Sequence, residues 1–466
     1  MLGRTCPRVA LSCLVCLAAA CSNGTDDTSP PGAGGWSPGT VYPSDQTLTS
    51  RGFLDLRGII HAHSVYSHDA CDGEPIDAAG HINQSCFEDF RRAICQVQHD
   101  FVMLSDHADS FADHEYPDVL LYDATKGDEL LTRGGEPVAN RAGCPDGFSV
   151  MILAGTETGT MPVGLEHHVG GDPASRHAVY GEVSAEAIQQ LKDAGAVALL
   201  MHTEDWTIDD LTTLPIDGFE MFNLHANMYL AAGDAMGLIA KQKEPELLPH
   251  PDLVFVPLIK EDDAYLTRWA GALSAGVRRV TTMATDCHQN TFKQVLPDGE
   301  RIDGYRRMML GFSNHLLIRQ DAGKWDDRSL KDALRAGRVY GVFEYMGYAQ
   351  GFDYYAEQAG STMEMGQSVS VAAHPTLHVR RPVVRDLDPS VTPPEVRVRL
   401  LRADGENWDE VAANAGDVSF EPAAPGAYRA EVRIVPRHLE KYLSSYAELA
   451  GREFVWVYSN AIYVEE

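Results

Sequence analysis

The run LRGIIHAHSVYSHDACDG, residues 56–73, carries His61, His63 and His68 at the end of an apolar stretch, with Asp69 directly behind them. Along a strand, side chains two apart share a face, so His61 and His63 can address one point at the strand's C-terminal end. The pattern then recurs. SDH supplies Asp106 and His107, GTET supplies Glu157, LMH supplies His202, and TDCH supplies Asp286 and His288. Each places His, Asp or Glu where an apolar run gives way to a loop, the edge of an α/β fold at which sites are built. Taken singly, each has a plain reading: Asp106 can cap a turn, and His202 can be a satisfied core histidine. Together, desolvated carboxylates and imidazoles at one rim are costly unless they are paired or bound to metal. Imidazole nitrogen with carboxylate oxygen suits zinc, manganese or iron, and outside the N-terminal apolar run, which holds Cys13 and Cys16, no CxxC pair points to a structural zinc knuckle.

Short apolar strands alternate with amphipathic helical stretches from residue 51 to 345, the pattern of an α/β domain. FLDLRGIIHAHS, DFVMLSDH, SVMILAGTET, AVALLMH, DGFEMFN and RRVTTMATDCH read as strands with nearly continuous apolar cores, as expected of parallel strands covered on both faces. SAEAIQQLKDAG reads as a helix capped by Ser184 and stopped by Gly195. From 346 to 466 the chain alternates polar and apolar residues between turns, which predicts an antiparallel, β-sandwich-like domain with one helix over HLEKYLSSYAELAG.

At 466 residues two to three domains are expected, and a formal charge of −29 excludes a protein that grips nucleic acid through basic patches. Arg4 and Arg8 precede VALSCLVCLAAA, which is too short to span a membrane and ends in small residues before Cys21. Residues 1–20 thus resemble a bacterial lipoprotein signal, with Cys21 as the lipidated first residue of an exported chain held at the envelope or cell surface by its lipid alone. Residues 21–50, rich in Pro, Gly, Ser and Asp, read as a disordered tether. In an exported chain Cys71, Cys86, Cys95 and Cys144 can form disulfides in three pairings that sequence does not rank, with Cys287 left over.

The order HxH with a following Asp, then SDH, GTE, MH and DxH, resembles the polymerase and histidinol phosphatase (PHP) family of metallohydrolases. The branch it is most similar to contains exported enzymes, a carbaryl hydrolase among them. DGFEMFN, LRAGRVYG and WVYSNAIYV add to the likeness, which extends over about residues 51–466. It implies a distorted (βα)7 barrel over 51–345; the amidohydrolase barrel also opens with HxH but does not use SDH on its second strand. It further implies that His61, His63, Glu157 and Asp286 hold one divalent ion and that Asp69, His107 and His288 hold a second. His202 and His177 would share Glu157 around a third, with His168 as the rival of His177 and His68 as the rival of Asp69. Two or three zinc, manganese or iron ions would then generate a bridging hydroxide. The expected substrate is a small phosphorylated molecule, with Asp106 and His68 orienting ligand imidazoles. Arg176, Lys260 and Arg306 are candidate phosphate contacts or solvated surface cations. Period two turns Cys287 away from the ions. Hydrolysis of carbamates, amides or carboxylic esters on the same centre, and a non-catalytic metal-stabilised binding lipoprotein, are the competing readings.

Overall fold

Seven strands close on themselves around the histidine-bearing segments. In the computed structural model, which describes residues 35–43, 49–319 and 324–466, these are β1 (Phe53–Ala62), β2 (Phe101–Met103), β3 (Ser149–Glu157), β4 (Met161–Leu165), β5 (Val197–Leu200), β6 (Gly218–Asn223) and β7 (Val280–Cys287). β2 runs parallel to β1 and β3, β6 runs parallel to β5 and β7, and β7 closes the ring by pairing in parallel with β1. β4 alone is antiparallel to both its neighbours. The three residues between β3 and β4 are too few for a crossover, so this pair is a hairpin, and the barrel departs there from strict strand–helix repetition. All six strands expected from the sequence are present; β4, in TMPVGL, is the one that was not expected.

Apolar residues of the barrel strands sort by period two. Leu56, Ile60, Phe101, Met103, Met151, Leu153, Val197 and Leu199 pack in one buried cluster, while Ile59, Val102, Ile152, Ala198 and Leu200 face another. This double burial is why the runs read as continuous apolar segments. At Gly218 a Cβ would lie 1.9 Å from the Val280 carbonyl oxygen, so only glycine lets β6 approach β7 there. Ser184 caps the helix Ala185–Asp193 as expected, accepting from the Ala187 amide at 3.1 Å.

The ring does not end the sheet. β8 (Ser313–Arg319) pairs antiparallel with β1, β9 (Val339–Val342) with β8, and β13 (Phe454–Glu465) with β9. β12 (Gly426–Val435), β10 (Glu395–Asp404) and β11 (Asn407–Asn414) follow in that order, all antiparallel. A second sheet of Asp353–Gln358, Ser361–Glu364, Thr376–Arg380 and Val418–Phe420 completes the β region. Among the described residues beyond the ring, Ser368–Ser370 departs from this antiparallel pattern by pairing in parallel with β13. The expected boundary at 345/346 therefore lies inside one compact unit, Trp36–Glu466. The YSN of WVYSN makes the joint: the Asn460 side chain accepts from the Thr281 amide at 2.8 Å and donates to the Thr281 and Val339 carbonyls.

Two expectations need correction. HLEKYLSSYAELAG forms two 3-10 segments, Arg437–Tyr442 and Ser444–Gly451, because Ser444, where the second begins, takes a left-handed φ of 47°. Part of the 21–50 tether is packed: Trp36 meets the His438 ring edge-on and Tyr42 donates to the Arg385 carbonyl, these being the stretch's large aromatic side chains. The signal segment 1–20 and Cys21 lie outside the described residues.

Candidate metal centre

The barrel strands deliver their polar ends to one place, and they do so through irregular backbone. His61, His202 and Asp286 adopt left-handed φ of 74°, 48° and 52°. Such conformations cost about 1–3 kcal/mol each for non-glycine residues and persist only where the surroundings impose them. The β1–β7 register slips between Ile60 and Ala62, at His61 itself. His61 and His63 still converge, their Nε2 atoms 3.1 Å apart, but by a bulge and not by plain alternation.

Two sets of side chains can each hold a divalent ion, every set having ligand atoms within 4.8 Å of one another: His61, His63, Glu157 and Asp286, and His63, Asp69, His107 and His288. In the first, Glu157 Oε2 lies 2.8 Å from His61 Nε2 and 3.0 Å from His63 Nε2, with Asp286 Oδ1 at 3.2 and 3.4 Å from the same atoms. In the second, Asp69 Oδ2 lies 3.3 Å from His288 Nε2 and 3.6 Å from His107 Nε2. The other carboxylate oxygens face His202, which joins none of the compact sets; its Nε2 lies 3.2 Å from Glu157 Oε1 and 3.4 Å from Asp286 Oδ2, and this position is called the third locus below. His225 Nδ1 is also 3.4 Å from Asp286 Oδ2, and His225, Asp286 and His288 form a further possible ligand set. Asp286 Oδ1 and His288 Nε2 are buried and make no well-aligned hydrogen bond, their near neighbours being the other donors of the cluster. Such orphaned atoms are costly unless an ion takes them up, so the donor set fits a metal centre.

Five rings keep Nε2 for this cluster and spend Nδ1 elsewhere. His61 Nδ1 meets Glu220 at 2.5 Å, His63 meets the Ser67 hydroxyl at 3.0 Å, and His202 meets Glu204 at 3.2 Å. His107 and His288 meet the backbone carbonyls of Glu157 and Asp286, at 3.3 and 2.9 Å. Metal-ligating histidines are held in this way, the outer nitrogen fixing tautomer and ring orientation.

Charge reinforces the geometry. Burial would lower His63 and His202, but Glu157, Asp286 and neighbouring carboxylates outweigh it and raise them to about 9 and about 11. Glu157 and Asp286 are held well below the usual carboxylate range because, despite burial, the imidazoles favour their ionised forms. His288 is depressed to about 3 by burial and by the His63 ring stacked 3.7 Å away.

The structure thus brings together His61, His63, Asp69, His107, Glu157, His202, Asp286 and His288. It does not bring His177, which sits on the helix Pro173–Tyr180 and pairs with Asp113 at 3.0 Å. Its rival His168 is tied to the Tyr180 hydroxyl and the His114 carbonyl. His68 points outward to Asp109, leaving the position to Asp69. Asp106 is buried but accepts from the Ser64 amide and hydroxyl instead of orienting an imidazole; burial lifts it to about 6. Arg176, Lys260 and Arg306 are engaged by Glu115, Asp234 and Asp252 with Glu300. Cys287 is buried in the core and belongs to no ligand set.

Sequence reasoning missed Glu220 and His225. Glu220 was visible only as one letter of the DGFEMFN strand, whereas its role needs the fold to lay β6 near His61. His225 lies two residues beyond Asn223, the spacing that made HxH conspicuous, but inside the helix Leu224–Leu230 that Asn223 caps. His225→Ala is expected to lower metal affinity about 100-fold, the upper end for a supporting ligand, while His177→Ala leaves it unchanged; isothermal titration with zinc decides between them.

The pairings left open resolve as Cys71–Cys86 and Cys95–Cys144. The first ties the Asp69 loop to the helix Gln84–Val97, and the Cys71 amide also donates to the His288 carbonyl at 3.0 Å. A Cys71→Ser/Cys86→Ser variant should lose about 3 kcal/mol in urea unfolding, the entropy of a loop of this length, and should loosen the ion held by Asp69 more than that held by Glu157.

Comparison of the chain with family models, with curated proteins and with solved structures finds no match. The chemistry of this site therefore rests on its own residues.

Proposed function

We propose that the chain is a metal-dependent hydrolase of the PHP type acting on small phosphoesters. One observation carries the reading: Glu157 and Asp286 each turn one oxygen toward the His61–His63 pair and the other toward His202. Single carboxylates shared between loci are what a cluster of ions requires, and a site built for one ion has no use for them. When bound, two or three zinc, manganese or iron ions supply an acidified water and neutralise the charge developing on the phosphoryl oxygens. Exposure marks the working face. His61 and His63 are fully buried, whereas the side chains of Asp69, His107 and His202 are 32, 25 and 29% exposed, so substrate reaches the cluster from their side. Arg176, Lys260 and Arg306 are already neutralised by carboxylates, which leaves the ions to meet the phosphate.

The two disulfides support an exported location, and lipidation of Cys21 remains part of the proposal. Among the described residues no helix is long and apolar enough to cross a membrane.

The test is elemental analysis of the full chain purified with zinc or manganese supplied, followed by assays on phosphomonoesters, phosphodiesters, aryl esters and carbamates. Two or three ions per chain with phosphoester turnover is the expected result. Metal content near zero overturns the reading, and turnover of carbonyl substrates alone replaces phosphoester by ester or carbamate hydrolysis.

A further inference from the structure

The outer nitrogens of His61, His63, His107 and His288 are held by Glu220, Ser67 and the backbone of Glu157 and Asp286, on the barrel strands or the loop that follows β1. His202 is held differently. Glu204, which meets His202 Nδ1 with one oxygen, accepts from the Tyr265 hydroxyl with the other. The Arg268 guanidinium donates to the Glu204 carbonyl at 2.9 Å and to the Trp206 carbonyl. Residues 202–206 are thus pinned by the helix Asp263–Ser274, which carries Tyr265 and Arg268.

That helix is in turn gripped by the C-terminal β region. Trp269, one turn from Tyr265 and on the same side, packs edge-on against Trp408 and Tyr458 with ring centroids 5.1 and 5.8 Å apart. The buried Arg429 guanidinium lies 4.4 Å from the Trp269 centroid and 4.3 Å from that of Trp408. Trp408 Nε1 donates to the Leu266 carbonyl at 3.0 Å. Just before the helix, Glu261 accepts from Arg433 at 2.8 Å and from the Tyr458 hydroxyl at 3.0 Å. A continuous run of contacts therefore joins β11, β12 and β13 to His202.

We infer that Glu204 and Tyr265 are positioning residues for His202, and that the C-terminal β region, through Trp408 and Trp269, sets the third metal locus. The inference rests on the proposed metal centre and gives the β region a part in it. It predicts a selective effect, because the His61–His63 and Asp69–His107 sets have supports of their own.

The experiment is competitive titration of the metal-stripped full chain with zinc against a chromophoric chelator, which resolves successive equivalents. Tyr265→Phe keeps the packed ring and removes the donor; Glu204→Gln, partly exposed, is the companion variant should the first fold poorly. Each is expected to weaken one equivalent by about 10–100-fold, the usual cost of losing an outer partner, and to leave the others and the far-ultraviolet circular dichroism of the stripped protein unchanged. Trp408→Ala should weaken the same equivalent. Equal loosening of every equivalent, or none, in both Tyr265→Phe and Glu204→Gln overturns the positioning role. An effect there with none in Trp408→Ala overturns the part given to the β region. A wild-type chain that binds no zinc overturns the metal centre itself, an outcome separate from the other two.

Discussion

Glu157→Gln should lower kcat/KM by at least ~10³-fold, about 4 kcal/mol of transition-state stabilisation, and should remove ions from two loci at once. The geometry requires both effects. Glu157 Oε2 faces His61 and His63 while Oε1 faces His202, so the amide replaces a ligand of each locus by a neutral group with only one acceptor atom. The lost charge also matters for what stays behind. His61 and His63 are fully buried, and the carboxylate that favours cations between these rings is gone. Losing an ion's stabilisation of transition-state charge is worth several kcal/mol, which is where the magnitude comes from. A substitution at a bystander gives the scale: His68→Ala, at a half-exposed ring paired with Asp109, should change kcat/KM by less than twofold. Elemental analysis beside the kinetics checks the cause. A Glu157→Gln chain that keeps its full metal content would show that the bridging assignment is mistaken even if activity fell.

Much of this site was legible because strand ends are legible. An apolar run that stops at His, Asp or Glu marks both a barrel strand and its functional end, and five such runs located seven of the residues that converge, with Asp69 in the loop behind the first. What the runs could not show was how the backbone completes the site. His61, His202 and Asp286 reach the cluster through left-handed φ and a register slip, which leave no mark in side-chain alternation. His177 was favoured for its place before an apolar stretch, yet that stretch is a helix whose surface His177 shares with solvent and Asp113, while β4 takes the barrel position between β3 and β5. His225 leaves no mark of this kind, since it sits on a helix and not at the end of an apolar strand. The C-terminal region is mainly antiparallel, as expected, and shares one compact unit with the barrel. The alternation that defines β13 says nothing about its partner, and that partner is β9, two strands from the barrel.

Stripping the metal should cost more stability the higher the pH, between about 6.5 and 9. In the stripped chain, despite burial, Asp286 and Glu157 push His63 up to about 9, and Glu157, Glu204 and Asp286 push His202 up to about 11, both above the ordinary 6.5. A histidine whose folded pKa is raised adds stability that is complete below the unfolded value and is lost as pH climbs through the folded one. The stripped protein therefore weakens across this window. The loaded protein moves the other way: ligating imidazoles must be neutral, binding releases their protons, and affinity grows with pH. At free metal 1,000 times Kd the gain is about 4 kcal/mol, and it rises further as Kd falls. Other shifted groups do not disturb the sign. His288, depressed to about 3, costs stability only as pH falls below 6.5, and Asp106, raised to about 6, has given up its contribution by the start of the window. His315, raised to about 9 by Asp55 and Glu344, is not part of the cluster, so it weakens both forms alike and cancels from their difference. Thermal midpoints measured with zinc and with chelator at pH 6.5, 7.5 and 8.5 should diverge steadily. A gap that narrows over that range would mean that the buried imidazoles do not exchange protons for metal, and the cluster would then have to be read as a set of ion pairs that stabilises the barrel mouth on its own.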